Sequence, residues 1–135
     1  MISEQRASEA AIRALIERWA TAVQSRDLDG VLAEHAEDIR MFDVPPPNEL
    51  RGIEAYRESW PPFFDWLKQG AVFQIVSLDV TAGADVAFAT ALLRCGTEGG
   101  LRKDPDTGLR LTVGLRKEDG RWVVTHEHHS FPASD

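Results

Sequence analysis

Residues 109–130 read LRLTVGLRKEDGRWVVTHEHHS, and they fix the character of the second half of the chain. Leu109 to Arg116 is a strand, with Arg110 and Thr112 on a shared face. Glu118-Asp119-Gly120 is hairpin turn chemistry. A final strand runs from Arg121 to about Phe131. Working outward, Val72–Thr81 is rich in β-formers, Gly83-Ala84 fits a tight turn, and Val86–Cys95 is another strand. The polar segment Gly96–Gly108 connects it to Leu109, with Gly99-Gly100 as a lone glycine pair in a loop.

The first half is helical. Over residues 8–25, Ile12, Leu15, Ile16, Trp19 and Val23 recur at the spacing of one helix face, with Ser8 as the candidate N-cap. Asp27 caps a short second helix carrying Leu28, Val31, Leu32 and His35 on one side. Ile39–Val44 is extended, with Ile39, Met41 and Asp43 on one face and Arg40, Phe42 and Val44 on the other. Pro45-Pro46-Pro47 stops that strand. A third helix starts at about Ile53, with Ile53, Tyr56 and Trp60 as its apolar stripe. Pro61-Pro62 is expected to break or kink it before Phe63, Phe64, Trp66 and Leu67. Three helices followed by long antiparallel strands give an α+β class, helices packed on one face of a curved sheet.

A chain of 135 residues is one domain, residues 1–135, long enough to bury a core without staples. The net charge of −7 comes from 22 acidic and 15 basic residues, the latter scattered. It argues against a nucleic acid or an anionic membrane as partner. No apolar run is long enough to span a bilayer. The start, Met1-Ile2-Ser3-Glu4, lacks a signal peptide's basic and apolar regions, and the single Cys95 forms no internal disulfide, so a cytoplasmic chain is expected.

Three of the four histidines stand in the last strand. Alternation puts His126, His128 and Ser130 on one face, and Glu127 and His129 on the other. Three imidazoles are too polar for core filler, and imidazole titrates nearest neutrality. His126 and His128 can act as acid/base groups or hydrogen-bond donors to a carbonyl; equally, they can pack at a subunit interface. Asp43, sharing a face with Ile39 and Met41, is a candidate general base whose alternative is a loop-edge aspartate. A metal site built from His126 and His128 with His35 or Asp43 lacks any standard ligand spacing, so none is assigned. Cys95 reads as a buried structural thiol. Trp19, Tyr56, Trp60 and Phe64 can fill a core or line an apolar ligand pocket.

The order of elements resembles the nuclear transport factor two-like superfamily, which includes ketosteroid isomerases, SnoaL-like polyketide cyclases and scytalone-dehydratase-like enzymes. The resemblance rests on Asp27-Leu28-Asp29 opening the second helix, Ala36-Glu37-Asp38-Ile39 entering the first strand, and Arg51-Gly52-Ile53-Glu54-Ala55 opening the third helix. The ending, Gly114–Trp122 through His126–Pro132, looks like the SnoaL-like branch. It implies a cone-shaped half-barrel, a strongly bent mixed or antiparallel sheet wrapped around three N-terminal and central helices. It also implies a deep apolar pocket and homodimers through the outer sheet face. Asp43 stands where the isomerases keep their general base. Their oxyanion tyrosine falls near Trp19 and their protonated aspartate near Thr112 or Val113, so that pair does not carry over. The expectation is an isomerase, cyclase or lyase acting on an apolar or carbonyl-containing small molecule, without an organic cofactor. Asp43, His126 and His128 are its expected catalytic groups. Trp19, Tyr56, Trp60, Phe64, Arg110, Thr112 and Ser130 are its expected substrate contacts. The alternative is a non-catalytic ligand-binding or dimeric assembly module.

Overall fold

A computed structural model describes residues 3–105 and 108–133. Helix α1 (Ser3–Gln24) starts five residues before the expected residue 8, because nothing in Ser3–Ser8 opposes a helix. The apolar period begins only where there is something to bury, so Ser8 is inside the helix rather than its cap. Ile12, Leu15, Ile16, Trp19 and Val23 form the buried face. The Gln24 side-chain carbonyl accepts the Phe73 N–H at 2.7 Å and ties the helix end to the sheet. Asp27 caps α2 (Leu28–Leu32), its carboxylate accepting the Gly30 N–H at 3.2 Å. His35 does not belong to α2. Strand β1 (His35–Phe42) begins at that residue, after Glu34 turns the chain with φ 60°.

A two-residue strand, β2 (Leu50–Arg51), was not visible as a period and precedes α3 (Ile53–Leu67). Pro61 and Pro62 do not end α3. Both are exposed, and the carbonyls of Arg57 and Glu58 that lose their donors belong to exposed residues, where water can satisfy them. Strands β3 (Val72–Ala82) and β4 (Val86–Gly96) form the first long hairpin. The polar connection contains a six-residue helix, α4 (Glu98–Lys103), capped by Thr97 through the Gly100 N–H. The second hairpin is β5 (Leu109–Glu118) and β6 (Arg121–Ser130). Asp119 and Gly120 both take positive φ, 50° and 79°, as a two-residue hairpin loop requires.

The six strands form one open sheet in the order β2-β1-β6-β5-β4-β3. All neighbours are antiparallel except β1 and β6, which run parallel. Helix α1 lies on β3, and α3 on β1 and β2. The architecture is the α+β half-barrel with helices on the inner face. Leu109, Leu111, Val113 and Leu115 of β5 point into the core, while Val86, Phe88 and Leu92 of β4 stand exposed on the outer face. Among the described residues the ladders shift register in three places, one of them between His35 and Arg40 where β1 meets β6. Val76 is the extra residue in β3, and Thr125 the extra residue in β6, where Gly114 pairs with His126 but Leu115 pairs with Val124.

Candidate functional site

The bulge at Thr125 decides which histidines face the interior. Trp122 and Val124 belong to the core cluster. Unbroken alternation from them carries His126 and His128 inward. The extra residue reverses that order: Glu127 and His129 are buried, with 1% and 6% of their surface exposed, and His128 is exposed. His126 and His128 therefore stand outside, away from the cavity wall, contrary to their expected place beside Asp43. His126 Nδ1 donates to the Arg40 carbonyl at 2.7 Å, and both rings meet the edge of Phe42, with centroids 5.0 and 5.4 Å away. Three expected substrate contacts also fall on this outer side. Arg110 donates to Ser130 Oγ and to the Phe131 carbonyl, each at 3.2 Å, and Thr112 is exposed.

A cavity of about 410 Å³ opens on the inner side, walled by Asp43, Trp60, Phe63, Cys95, Leu109 and His129, with Phe131 at its edge. Asp43 follows Ile39 and Met41 around the end of β1 and reaches this wall. One carboxylate oxygen, Oδ1, accepts the Val44 N–H at 2.8 Å. Among the described residues, nothing hydrogen-bonds to Oδ2. Burial, with the negative charge of Asp43 adding to it, pushes the Cys95 thiol up to about 12, so it is neutral on this wall. Of the aromatic contacts expected, Trp60 lines the cavity. Phe64 is in the core, and Trp19 and Tyr56 lie behind the wall.

Behind His129 lies a sealed polar cluster centred on Glu127. Its Oε1 is 2.9 Å from His129 Nε2. Its Oε2 is 2.8 Å from His35 Nε2 and takes the Tyr56 hydroxyl proton at 2.7 Å. Trp19 Nε1 donates to the Tyr56 oxygen at 2.9 Å. The Trp60 indole N–H is directed toward the same hydroxyl without reaching hydrogen-bond geometry. Burial alone pushes the Glu127 carboxyl upward, but the hydrogen bonds from His129 and His35 outweigh it and bring the group down to about 2. Tyr56 moves the other way: burial and then the charge of Glu127 hold its phenol well above the usual range.

Glu127, His35 and His129 were not among the site residues expected from sequence. The signal for them is Gly114, an isolated glycine inside a strand pattern, which marks a bulge or a close backbone approach. A Cβ on Gly114 would stand 3.3 Å from His126 Cβ, directly across from the extra residue. Apart from the Ser59 hydroxyl and the neutral Cys95 thiol, the inward side therefore offers two groups able to exchange a proton with a bound molecule, Asp43 and His129, on a mostly apolar wall. Among the described residues no three His, Cys, Asp or Glu side chains are grouped to hold a metal ion, and no helix is long and apolar enough to cross a membrane.

Solved structures share this architecture. A nuclear transport factor two-like protein of unknown function from Pseudomonas putida KT2440 is 39% identical, with a TM-score of 0.83 over 96% of this chain and 89% of that one. A protein described as a candidate ketosteroid isomerase from Shewanella frigidimarina NCIMB 400 is 22% identical, with a TM-score of 0.71 over 87% of this chain and 92% of that one. A nuclear transport factor two-like protein with a cystatin-like fold from Novosphingobium aromaticivorans is 17% identical, with a TM-score of 0.71 over 89% of this chain and 79% of that one. The last two are similar in fold alone. No curated protein matches the chain. With a family model for the SnoaL-like domain matching residues 12–134, nearly its whole length, the chain belongs to the SnoaL-like branch of the nuclear transport factor two-like superfamily.

Proposed function

We propose that the protein is a small-molecule enzyme of the isomerase, cyclase or lyase kind, moving protons on an apolar carbonyl compound. The observation that carries the reading is the presence of Asp43 and His129 together on the wall of one apolar cavity. Asp43, with one carboxylate oxygen uncommitted, takes the proton next to the carbonyl. The electron pair moves into the enolate, and the proton returns to carbon or leaves with a neighbouring group. His129 fills the second proton-exchanging role first assigned to His126 and His128.

The test is deuterium exchange at the α-carbon of a panel of enolisable ketones, followed by NMR, because exchange reports carbon-acid proton transfer without knowledge of the final product. Wild-type protein is expected to exchange one class of ketone above the buffer rate. Asp43→Asn is expected to lose that rate by about a hundredfold or more, the usual worth of a general base. Full exchange by Asp43→Asn would remove Asp43 from the role. Tight binding of a ketone without exchange would favour the second reading, a binding module, which draws support from the dominance of aromatic side chains on the wall. The reading includes a homodimer through the outer sheet face, supported by the exposure of Val86, Phe88 and Leu92 there.

A further inference from the structure

The sealed cluster behind the cavity can be assigned proton by proton. His35 Nδ1 lies 2.8 Å from the Ala33 carbonyl, which only accepts, so Nδ1 carries a proton. The 2.8 Å contact between His35 Nε2 and Glu127 Oε2 needs a second proton between the two atoms. The Tyr56 hydroxyl is 3.1 Å from His35 Nε2 but only 2.7 Å from Glu127 Oε2; its one proton goes to the shorter contact and its oxygen accepts from Trp19, so it has none to spare for Nε2. An oxygen that already takes the phenol proton, on a carboxylate also bonded to His129, is an acceptor. The second proton therefore sits on His35, whose side chain is wholly buried. One buried cation then balances one buried anion.

A second imidazolium at His129 would give this sealed cluster an excess positive charge, which a low-dielectric interior disfavours strongly. His129 is therefore neutral, and its single proton lies on Nε2, 2.9 Å from Glu127 Oε1. The lone pair is left on Nδ1. Among the described residues nothing hydrogen-bonds to that atom. It is not sealed either, since the one sealed, unpartnered side-chain polar atom among them is Trp60 Nε1. Nδ1 opens to the cavity that His129 lines.

The rest of the wall has the same polarity. Asp43 is a carboxylate that only accepts, and the Ser59 hydroxyl gives its proton to the Tyr56 carbonyl at 2.7 Å. Among the described residues no lysine or arginine lines the cavity, so an anionic ligand would meet Asp43 without a counter-charge. We propose that Glu127, locked by His35 and Tyr56, is a positioning residue that fixes His129 in the Nε2–H tautomer, and that the cavity takes a neutral apolar ligand presenting a hydroxyl donor to His129 Nδ1. The ligand class rests on the reading of the cavity as a small-molecule site; the tautomer does not.

The experiment is a multiple-bond proton–nitrogen correlation spectrum of the ¹⁵N-labelled protein at neutral pH, without and with 2-naphthol or 2-methoxynaphthalene. In the free wild type, His129 should show a protonated Nε2 and an unprotonated Nδ1, and His35 protons on both nitrogens. Glu127→Gln should lose the single-tautomer pattern at His129. A protonated Nδ1 on wild-type His129 would overturn the assignment, and the wild-type spectrum decides whether or not the variant folds. The naphthol should shift His129 Nδ1 and bind about tenfold more tightly than its methyl ether, the worth of one hydrogen bond. Equal affinities with Nδ1 unmoved would overturn the ligand class. Because the spectrum needs no turnover, a failed exchange assay leaves the tautomer standing, and a failed tautomer leaves the exchange assay untouched.

Discussion

Glu127 keeps its charge with 1% of its surface exposed, and the donors around it govern how the fold meets acid. Its carboxyl lies at about 2 in the folded chain, below the unfolded value of 4.5. A depressed carboxyl contributes stability that is complete above the unfolded value and lost as pH falls through the folded one. The unfolding free energy from urea melts should therefore drop between about pH 4.5 and 2, by a few kcal/mol in total. Glu127→Gln should be less stable at neutral pH and flatter across that window. A second prediction concerns Cys95. With its thiol near 12 against an ordinary 9.0, thiolate at pH 8 is about a thousandfold scarcer than in the unfolded chain, and disulfide-reagent labelling should be slow in proportion. Asp43→Asn removes the second cause of that shift and should speed labelling, which would place the two groups on one wall in solution. The side of β1 that carries Asp43 was legible because Ile39 and Met41 alternate without interruption. The side of β6 was not, because one inserted residue, Thr125, reverses the order for everything after it.

At the scale of elements, α2 depends on a close approach. A Cβ on Gly30 would stand 2.6 Å from Asp27 Oδ2 and 2.9 Å from Ala22 Cβ. Gly30→Ala should thus destabilise the protein by about 1–3 kcal/mol in urea melts, although alanine is the better helix former. Pro61 presents the opposite case, since it is exposed and inside α3. Pro61→Ala should raise stability by about 1 kcal/mol or more, because alanine restores a donor and costs a helix less. Asp27 as a cap and Asp119-Gly120 as a turn were readable from residue type alone, since each supplies a local geometry that few other residues provide. Helix α4 was not readable: six residues with two glycines and one leucine show no apolar period, and its signal is a Thr97 cap with nothing amphipathic behind it.

For the whole molecule, the class followed from the order of helices and strands, because each periodic segment has only one way to cover its apolar face. The parallel contact between β1 and β6, and hence the meeting of His35 with Glu127, joins residues far apart in sequence that no local pattern links. The exposed row of Val86, Phe88 and Leu92 leads to a further prediction. Sedimentation should give twice the 15.0 kDa of one chain, and Phe88→Glu should halve it without disturbing the cavity. A wild-type monomer at micromolar concentration would sink the dimer.

The position of β6 also sets a timetable for biosynthesis. It lies between β1 and β5, yet it is the last described strand to leave the ribosome. Until then β1 and β5 are open edges of two separate sheet fragments, and His35 and Tyr56 have no carboxylate to meet. A chain stalled before Arg121 should remain sensitive to protease and prone to strand-edge association. Protection should arrive in a single step, once the residues through Ser130 have emerged.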